Sequence, residues 1–319
     1  MFINKWTIED AAKRVASHLA PTPLVRARHF TNRVGANVYF KLETLQPTHS
    51  FKVRGAFNSL AQLPPELHAR GVITASGGNH GLALAYAARV LHIPATVYLP
   101  ENSHAIRVAA IRAFGAGVVL HGAAWDDANA KALEEAARTE LAYIHPFDNI
   151  DVMAGQATIV TELLNQIGRV DLIVASIGGG GLISGIASAV RHFSPKTRVV
   201  GVETEGADSM HQSLKAGMIV ELPAITSVAE TLGAKKTEQT QFAIVSEGVS
   251  EVVVVPDALA IAALIETLQE EKLLTEPATS CSIAALTDGR IPVKSGENVV
   301  VVLCGANVSL DRVWEWSHG

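Results

Sequence analysis

Several signals that would assign this sequence to a broad class of proteins are missing. It contains two cysteines, Cys281 and Cys304, which form no CxxC pair, so no disulfide framework is indicated and a reducing cytoplasm is the expected location. Its lysines and arginines are scattered, with no run longer than Lys235-Lys236, and its net charge is -5, which argues against a nucleic-acid partner. It has neither the apolar core of a signal peptide nor an uncharged stretch of membrane-spanning length, so no membrane partner is expected.

Metal, repeat and linker signals are missing as well. The 12 histidines include no close pair with the spacing of metal ligands, and no metal is expected from them. No fixed-period repeat is visible, which excludes a solenoid. The 319 residues exceed what one core usually supports, so two domains are expected. Because no Gly/Ser/Pro-rich linker separates them, the domains are predicted to exchange chain segments.

What is present is an alternation of β-rich runs and helical patterns. A helix is predicted from Lys52 to about Leu63, where Pro64-Pro65 stops it. Near-continuous apolar runs such as "EVVVV" (251–255) and "NVVVVLC" (298–304) are typical of strands buried in a parallel sheet. Further strands are predicted in "NVYFKLE" (37–43), "GVITA" (71–75), "ATVYLP" (95–100), "GVVL" (117–120), "VDLIVASI" (170–177) and "RVVGVE" (198–203). The alternation predicts an α/β fold with parallel-rich twisted sheets flanked by helices.

Lys52, in the segment "THSFKVRGAF" (48–57), is a candidate for covalent chemistry. It lies at the predicted start of a helix, where the positive end of the helix dipole disfavours a protonated amine. Burial beside Phe51 would lower the pKa of the amine further, and Schiff-base chemistry requires a neutral amine. The alternative is an ordinary lysine whose stem packs on apolar neighbours while its amine stays in water.

Two glycine-rich turns, each between a strand and a helix, are candidate anion sites. In "SGGNHG" (76–81) the backbone N–H groups, with Ser76 and Asn79, could hold a carboxylate, or Asn79 could simply cap the helix. In "GGGGL" (178–182) four consecutive glycines suggest a phosphate site. The spacing fits neither the dinucleotide fingerprint nor a Walker motif, because Ile183 or Ser184 stands where the third glycine would be and no lysine follows.

A third strand end, "LCGAN" (303–307), places Cys304 where open α/β sheets bind ligands. Its thiol could donate a weak hydrogen bond to a bound group, or it could be a buried small hydrophobe. A reactive lysine, a candidate phosphate site in "GGGGL" and a candidate carboxylate site in "SGGNHG" together indicate a cofactor that carries an aldehyde and a phosphate group. Pyridoxal phosphate, which acts as an electron sink, fits this combination.

The motifs also resemble a known family. "PTHSFKVRGA", "SGGNHG", "HPFDNIDVMAGQATIVTELL", "GGGGL", "LLTEPATS" and "LCGAN" occur in the order found in serine/threonine dehydratases and serine racemases, from about Thr7 to Leu310. These are fold-type II pyridoxal-phosphate enzymes with a tryptophan synthase β-like fold. The resemblance implies a large cofactor-binding domain of residues 1–68 and 148–319, a small substrate-loop domain of residues 69–147, and a homodimer. It implies a dehydratase that converts L-threonine, L-serine or another β-hydroxy amino acid to a 2-oxo acid and ammonia.

The resemblance also implies roles for individual residues. Lys52 would bind the cofactor aldehyde and shuttle the substrate α-proton, Phe51 would lie against the pyridine ring, and Cys304 would face the pyridine nitrogen. Asn79 would donate a hydrogen bond to the phenolic oxygen of the cofactor. The substrate carboxylate would be held by Ser76, Gly77, Asn79 and His80, and the cofactor phosphate by Gly178, Gly179, Gly180, Gly181 and Leu182.

Three departures from the family pattern limit the substrate prediction. Racemase-type relatives carry a second serine where this sequence has Gly77, so racemisation is disfavoured. Relatives with a divalent-cation site pair a glutamate with a later aspartate. Here Glu203 is a weak metal candidate because Ser209 stands at the later position, although Asp208 is adjacent. "SVAETLG" (227–233) replaces a family Ala-Asp-Gly segment near the substrate, so a hydroxyaspartate-like or phenylserine-like substrate stays open.

Other functions fit the sequence less well than the lyase. An amino-acid racemase on the same scaffold is the nearest alternative. A β-replacement synthase is disfavoured because such relatives usually read Asn-Thr where this chain has Asn79-His80. A nicotinamide oxidoreductase is disfavoured by the glycine spacing. A non-catalytic binding protein requires that Lys52 never react with a carbonyl group.

Overall fold

The computed structural model describes residues 2–318. It has ten strands: β1 Leu24–Arg26, β2 Asn37–Lys41, β3 Val72–Ala75, β4 Ala95–Leu99, β5 Gly117–Leu120, β6 Ala142–Tyr143, β7 Leu172–Ser176, β8 Arg198–Thr204, β9 Glu251–Val255 and β10 Asn298–Val302. Its helices are α1 Lys5–Ala16, α2 Arg28–Val34, α3 Lys52–Leu60, α4 Pro65–Arg70, α5 Asn79–Val90, α6 Ala105–Ala113, α7 Trp125–Thr139, α8 Ile150–Ile167, α9 Gly181–Phe193, α10 Ser209–Ala216, α11 Gln239–Gly248, α12 Asp257–Glu270, α13 Pro277–Thr287 and α14 Leu310–His318.

The strands form two sheets. The larger has six strands in the order β1-β2-β10-β7-β8-β9, and the smaller has four in the order β5-β4-β3-β6. Every pairing is parallel except that of β1 with β2. The predicted α/β fold with parallel-rich sheets is confirmed. No described helix combines the length and apolar character needed to cross a membrane.

The small sheet is built from one continuous part of the chain, between Val72 and Tyr143. The strands of the large sheet come from both sides of this segment. The segment of the small sheet therefore interrupts the chain of the large sheet, while the division into two domains with boundaries at 68/69 and 147/148 stays a prediction.

Local chemistry explains where the observed elements differ from the predicted ones. Helix α3 ends at Leu60, and Pro65 begins the next helix, because a proline is tolerated at the first helical position. Helix α8 begins at Ile150, well before the predicted "IVTELLNQI" segment. The side chain of Asn149 accepts hydrogen bonds from the backbone N–H groups of Asp151 and Val152, both at 2.9 Å, and so caps the helix.

Helix α3 is fixed to the large sheet by close backbone packing and by buried charges. A Cβ on Gly155 of α8 would lie 2.6 Å from the carbonyl oxygen of Arg54, so only glycine allows α3 and α8 to approach this closely. The Arg54 guanidinium is fully buried and pairs with Glu43 at 2.7 Å and with Glu162 at 2.6 Å. The Lys41 amine, also buried, pairs with Glu162 at 2.6 Å. These contacts hold the helix that begins with Lys52.

Candidate active site

A cavity of about 840 Å³ lies where strands of both sheets end. Ser76 follows β3, Ser176 ends β7 and Cys304 follows β10, so three carboxyl ends of parallel strands meet at its wall, as ligand sites in α/β folds do. The predicted site residues that line it are Phe51, Lys52, Ser76, Gly77, Asn79, His80, Gly178, Gly179, Gly180, Gly181, Leu182 and Cys304.

Lys52 begins helix α3 and presents its amine to the cavity. Its Nζ donates a hydrogen bond to the carbonyl oxygen of Pro146 at 2.7 Å and lies 5.2 Å from the centre of the Phe51 ring. Burial lowers the pKa of the amine to about 8, although the nearby Cys304 acts in the opposite direction. Close to neutral pH a usable fraction of this amine is therefore unprotonated.

The glycine run connects β7 to helix α9 and leaves the start of that helix facing the cavity. Gly180 precedes α9 with a φ of 94°, a left-handed conformation that favours glycine. A Cβ on Gly181 would lie 2.9 Å from the Cβ of Phe147, so a larger residue has no room there. The first N–H groups of a helix have no partner within the helix, and together with the helix dipole they favour an anion.

The segment from Ser76 to His80 forms another part of the wall. Gly78 precedes helix α5, so Asn79 is the first helical residue and does not cap the helix with its side chain. The His80 ring contacts the carbonyl oxygen of Ile144 at 3.3 Å through Nε2, and its Nδ1 has no hydrogen-bond partner among the described residues. Burial, together with the Lys52 charge, holds the pKa of His80 well below its usual value, so the ring stays neutral.

Cys304 is buried at the floor of the cavity. Its Sγ lies 3.0 Å from the Thr279 hydroxyl and 3.3 Å from the Ser176 hydroxyl. Burial raises the pKa of the thiol to about 11, so it remains a neutral group that can exchange weak hydrogen bonds with a ligand.

Sequence reasoning missed several residues of the wall. His145 and Phe147 flank the carbonyl that holds Lys52, and burial lowers the pKa of His145 to about 4. Glu276, in the quoted segment "LLTEPATS", is a buried carboxyl group whose Oε1 accepts a hydrogen bond from Asn79 Nδ2 at 2.8 Å. A glutamate just before a helix-starting Pro277 could have been singled out, but its burial depends on residues far away in the sequence.

Glu203, the weak metal candidate, lies outside the cavity wall. Its carboxylate accepts hydrogen bonds from the backbone N–H groups of Met210 at 3.0 Å and His211 at 2.7 Å, in the first turn of α10. Burial raises the pKa of this carboxyl group to about 8. Among residues 2–318, no group of three or more His, Cys, Asp or Glu side chains is arranged to hold a metal ion. In this structure Glu203 therefore anchors a helix.

Comparison with known proteins gives consistent matches. The sequence model of the family described as "Pyridoxal-phosphate dependent enzyme" matches residues 15–305. An L-threonine ammonia-lyase of Geobacter sulfurreducens is 40% identical over 96% of this chain and 76% of its own length. An L-threo-3-hydroxyaspartate ammonia-lyase of Saccharomyces cerevisiae is 34% identical over 95% of this chain and 93% of its own. The structure of maize serine racemase has a TM-score of 0.94 at 30% identity and covers 100% of this chain and 98% of that chain.

Proposed function

Because this chain belongs to the family of pyridoxal-phosphate dependent enzymes, we propose that it is an ammonia-lyase for β-hydroxy amino acids. The proposed reaction converts L-threonine or L-serine to a 2-oxo acid and ammonia. The observation that carries the proposal is geometric: the Lys52 amine, with its lowered pKa, shares one cavity with the two glycine-rich turns that are candidate anion sites. The 40% identity to an L-threonine ammonia-lyase supports the choice of reaction.

The residues present fit pyridoxal phosphate. Lys52 can bind its aldehyde, the start of α9 at Gly178–Leu182 can bind its phosphate, and Cys304 can face its ring nitrogen. Asn79 and Phe51 would contact the ring. When bound, the cofactor supplies a conjugated electron sink for the negative charge that develops at the substrate α-carbon.

The protein's own groups account for binding and for proton movement. Ser76, Gly77, Asn79 and His80 would hold the substrate carboxylate. Lys52 would then accept the α-proton, which its neutral form allows. The β-hydroxyl departs with its bonding electrons, the α-proton and the hydroxyl leave together as water, and hydrolysis returns water to give the 2-oxo acid and ammonia.

Cys304 favours elimination over reactions that need a long-lived carbanion. A thiol with a pKa of about 11 does not hold the ring nitrogen protonated as a carboxylate would. The charge at the α-carbon must therefore be removed quickly, and a leaving hydroxyl removes it. Gly77 also argues against the alternative, a racemase like the maize protein, because glycine has no side-chain proton to deliver to the opposite face.

The charges of the cavity wall favour a substrate with an uncharged side chain. Three cationic side chains that line the wall already face acidic partners that also line it, namely Arg107 with Glu230, Lys235 with Asp126 and Lys236 with Glu221. A second carboxylate on the substrate would have to displace one of these partners. L-Threonine and L-serine are therefore proposed ahead of a hydroxyaspartate-like substrate, and a phenylserine-like one stays open.

The location, the oligomeric state and the domain boundaries are proposed as well. Both cysteines are free thiols and buried, which supports a reducing, cytoplasmic location. A homodimer and the domain boundaries 1–68 with 148–319, and 69–147, follow from the family resemblance. Light scattering of the purified protein tests the dimer.

The test of the proposed function compares wild-type protein with Lys52→Ala and with Lys13→Ala, an exposed lysine, after incubation with pyridoxal phosphate. We expect wild type and Lys13→Ala to show the visible absorbance of lysine-bound cofactor and to release 2-oxo acid from L-threonine or L-serine. Lys52→Ala should lose both signals. Cofactor binding with release only from L-threo-3-hydroxyaspartate would overturn the substrate proposal, and D-serine formed from L-serine without 2-oxo acid would favour the racemase. Absence of cofactor binding in wild type would overturn the mechanism.

A further inference from the structure

Glu276, in the cavity wall, is the centre of a polar network that none of the roles above uses. It is 4% exposed and is the residue immediately before helix α13. Its Oε1 accepts hydrogen bonds from Asn79 Nδ2 and from the Thr231 hydroxyl, each at 2.8 Å. Its Oε2 accepts one from the backbone N–H of Asn307 at 3.1 Å. A buried carboxylate with three donors around it is a built, well-satisfied site.

The network determines which way the Asn79 amide points. Burial raises the pKa of Glu276, but the donors Thr231, Asn79 and the backbone N–H of Asn307 favour its ionised form. An ionised carboxylate can only accept, so the group that Asn79 turns toward Glu276 must be its NH2. On the other side, Asn307 Nδ2 donates to Asn79 Oδ1 at 2.6 Å and to the carbonyl oxygen of Thr48 at 2.9 Å. The carbonyl oxygen and one amide hydrogen of Asn79 are thus occupied. The second Nδ2 hydrogen remains for the cavity that Asn79 lines.

The backbone is shaped to leave room for this arrangement. A Cβ on Gly305 would lie 2.6 Å from Glu276 Oε1 and 3.0 Å from Asn79 Nδ2. Any larger residue at position 305 would push the two groups apart, so the glycine of "LCGAN" serves the network as well as the turn. Asn307, two residues later, belongs to the same segment and supplies two of the donors.

We propose that Glu276 and Asn307 are positioning residues that lock the Asn79 amide with an N–H donor directed at the phenolic oxygen of the bound cofactor. The inference rests on the proposed function, because it takes from it the contact between Asn79 and the cofactor. A donor in this place stabilises the ionised form of that oxygen, whereas an amide turned the other way would present a carbonyl oxygen and repel it.

Two substitutions act on the amide in different ways. Glu276→Gln keeps the shape but puts an NH2 group beside donors, so Asn79 loses its fixed orientation. Asn307→Asp places a second acceptor beside Asn79, so neither orientation of the amide satisfies both Glu276 and the new carboxylate, and its NH2 group is no longer fixed toward the cavity. Thr231→Val removes one donor from Glu276 and retains the carboxylate, and it provides a milder variant if Glu276→Gln does not fold.

The controls make the same two types of substitution, Glu→Gln and Asn→Asp, at buried positions away from the cavity. Glu203→Gln alters a buried carboxyl group that also accepts backbone hydrogen bonds. Asn58→Asp alters a buried asparagine whose Nδ2 donates to the backbone carbonyl of Asp151 at 2.7 Å. Both controls can lower stability, but neither side chain lines the cavity.

The measurements are the dissociation constant of pyridoxal phosphate from the apo protein, the pH midpoint of its visible absorbance when bound, and Tm by circular dichroism. Glu276→Gln and Asn307→Asp should weaken cofactor binding about tenfold, and Asn307→Asp should raise the pH midpoint by about one unit. Thr231→Val should weaken binding about threefold. The controls should keep the wild-type constant and midpoint whatever their Tm.

Wild-type cofactor affinity and midpoint in all three network variants would overturn the inference while leaving the proposed function intact. Equal losses in the controls would also overturn it, since the effect would then come from general destabilisation. If wild-type protein itself binds no pyridoxal phosphate, the proposed function fails, and this inference fails with it.

Discussion

At the scale of single residues, Lys52 combines reactivity with a cost in stability. Its amine is placed in a wall that disfavours the protonated form, and its pKa falls to about 8 from an ordinary value of 10.5. The position was predictable from the sequence, because a strand end and a helix start are local features. Glu276 was not, because its burial and its partners depend on Asn79, Thr231 and Asn307, which lie far from it along the chain.

A first prediction concerns the stability of the apo protein. Below pH 8 both the folded and the unfolded chain carry a protonated Lys52, and the folded chain bears the full cost of the buried charge. Between about 8 and 10.5 the unfolded chain binds more protons, so wild-type stability rises with pH relative to a variant without the amine. Lys52→Met should therefore be more stable than wild type by about 2 kcal/mol at pH 7, a value discounted for the water that reaches the amine.

Urea unfolding of the apo forms at pH 7 and pH 10 measures this effect. The difference between Lys52→Met and wild type should shrink at the higher pH. Lys215→Met, at an exposed position, should show no such trend. A Lys52→Met protein that is less stable than wild type at pH 7 would contradict the assignment of Lys52 as a disfavoured charge.

At the scale of elements, local sequence signals predicted most strands. They did not predict elements whose sequence pattern is compatible with more than one structure. The apolar runs of β9 and β10 and the strand–turn–helix junction before α9 were confirmed. The prolines at 64 and 65 were interpreted only as a stop, although Pro65 also starts α4. Helix α12 was not predicted as an element, and the segment of α13 was interpreted as helical only from the position of Cys281. In α13 every residue from Pro277 to Leu286 is buried, so no polar face marks it as a helix.

A second prediction concerns the charges that hold α3. Arg54→Met would leave the buried Glu43 without its guanidinium partner, and Glu162 would keep its ion pair with Lys41 but lose the one with Arg54. Removing one partner of a buried ion pair costs about 3–5 kcal/mol, since an uncompensated charge remains. The free energy of unfolding from urea titration should fall by about that amount.

The matched control is Arg138→Met, which breaks an exposed pair with Glu135 in α7. Exposed pairs contribute about 0–1 kcal/mol, so this variant should stay close to wild type. A loss of less than about 1 kcal/mol in Arg54→Met would show that water or rearrangement replaces the buried partner.

At the scale of the whole molecule, two ion pairs cross the mouth of the cavity. Arg107 of α6 pairs with Glu230, and Asp126 of α7 pairs with Lys235, each at 2.8 Å. Helices α6 and α7 pack on the small sheet. Glu230 and Lys235 belong to the chain segment that connects β8 to β9 of the large sheet. Neither the pairs nor the strand order could be predicted, because periodicity gives an element's type but not its neighbours.

A third prediction follows from the exposure of these pairs. Both are open to solvent, so salt screens them. Arg107→Glu should raise KM for the amino-acid substrate about threefold, and the double variant Arg107→Glu/Glu230→Arg should restore it. Raising the salt concentration should raise the wild-type KM toward that of Arg107→Glu.

Arg191→Glu breaks the exposed pair between Arg191 of α9 and Glu247 of α11, neither of which lines the cavity, and serves as the control. Its KM should equal that of wild type. An unchanged KM in Arg107→Glu at low salt would mean that the pair at the mouth has no influence on substrate binding.

The position of β10 has a consequence for how the protein is made. This strand lies between β2 and β7, and Gly305 just after it bridges to Ser50 beside Lys52. On the ribosome, the small sheet can assemble as soon as its continuous segment has emerged, but the large sheet stays split until residues 298–302 are released. Cys304 and Asn307 follow immediately. A nascent chain therefore carries Lys52 without a finished cofactor site, and ammonia production cannot begin before translation of this segment is complete.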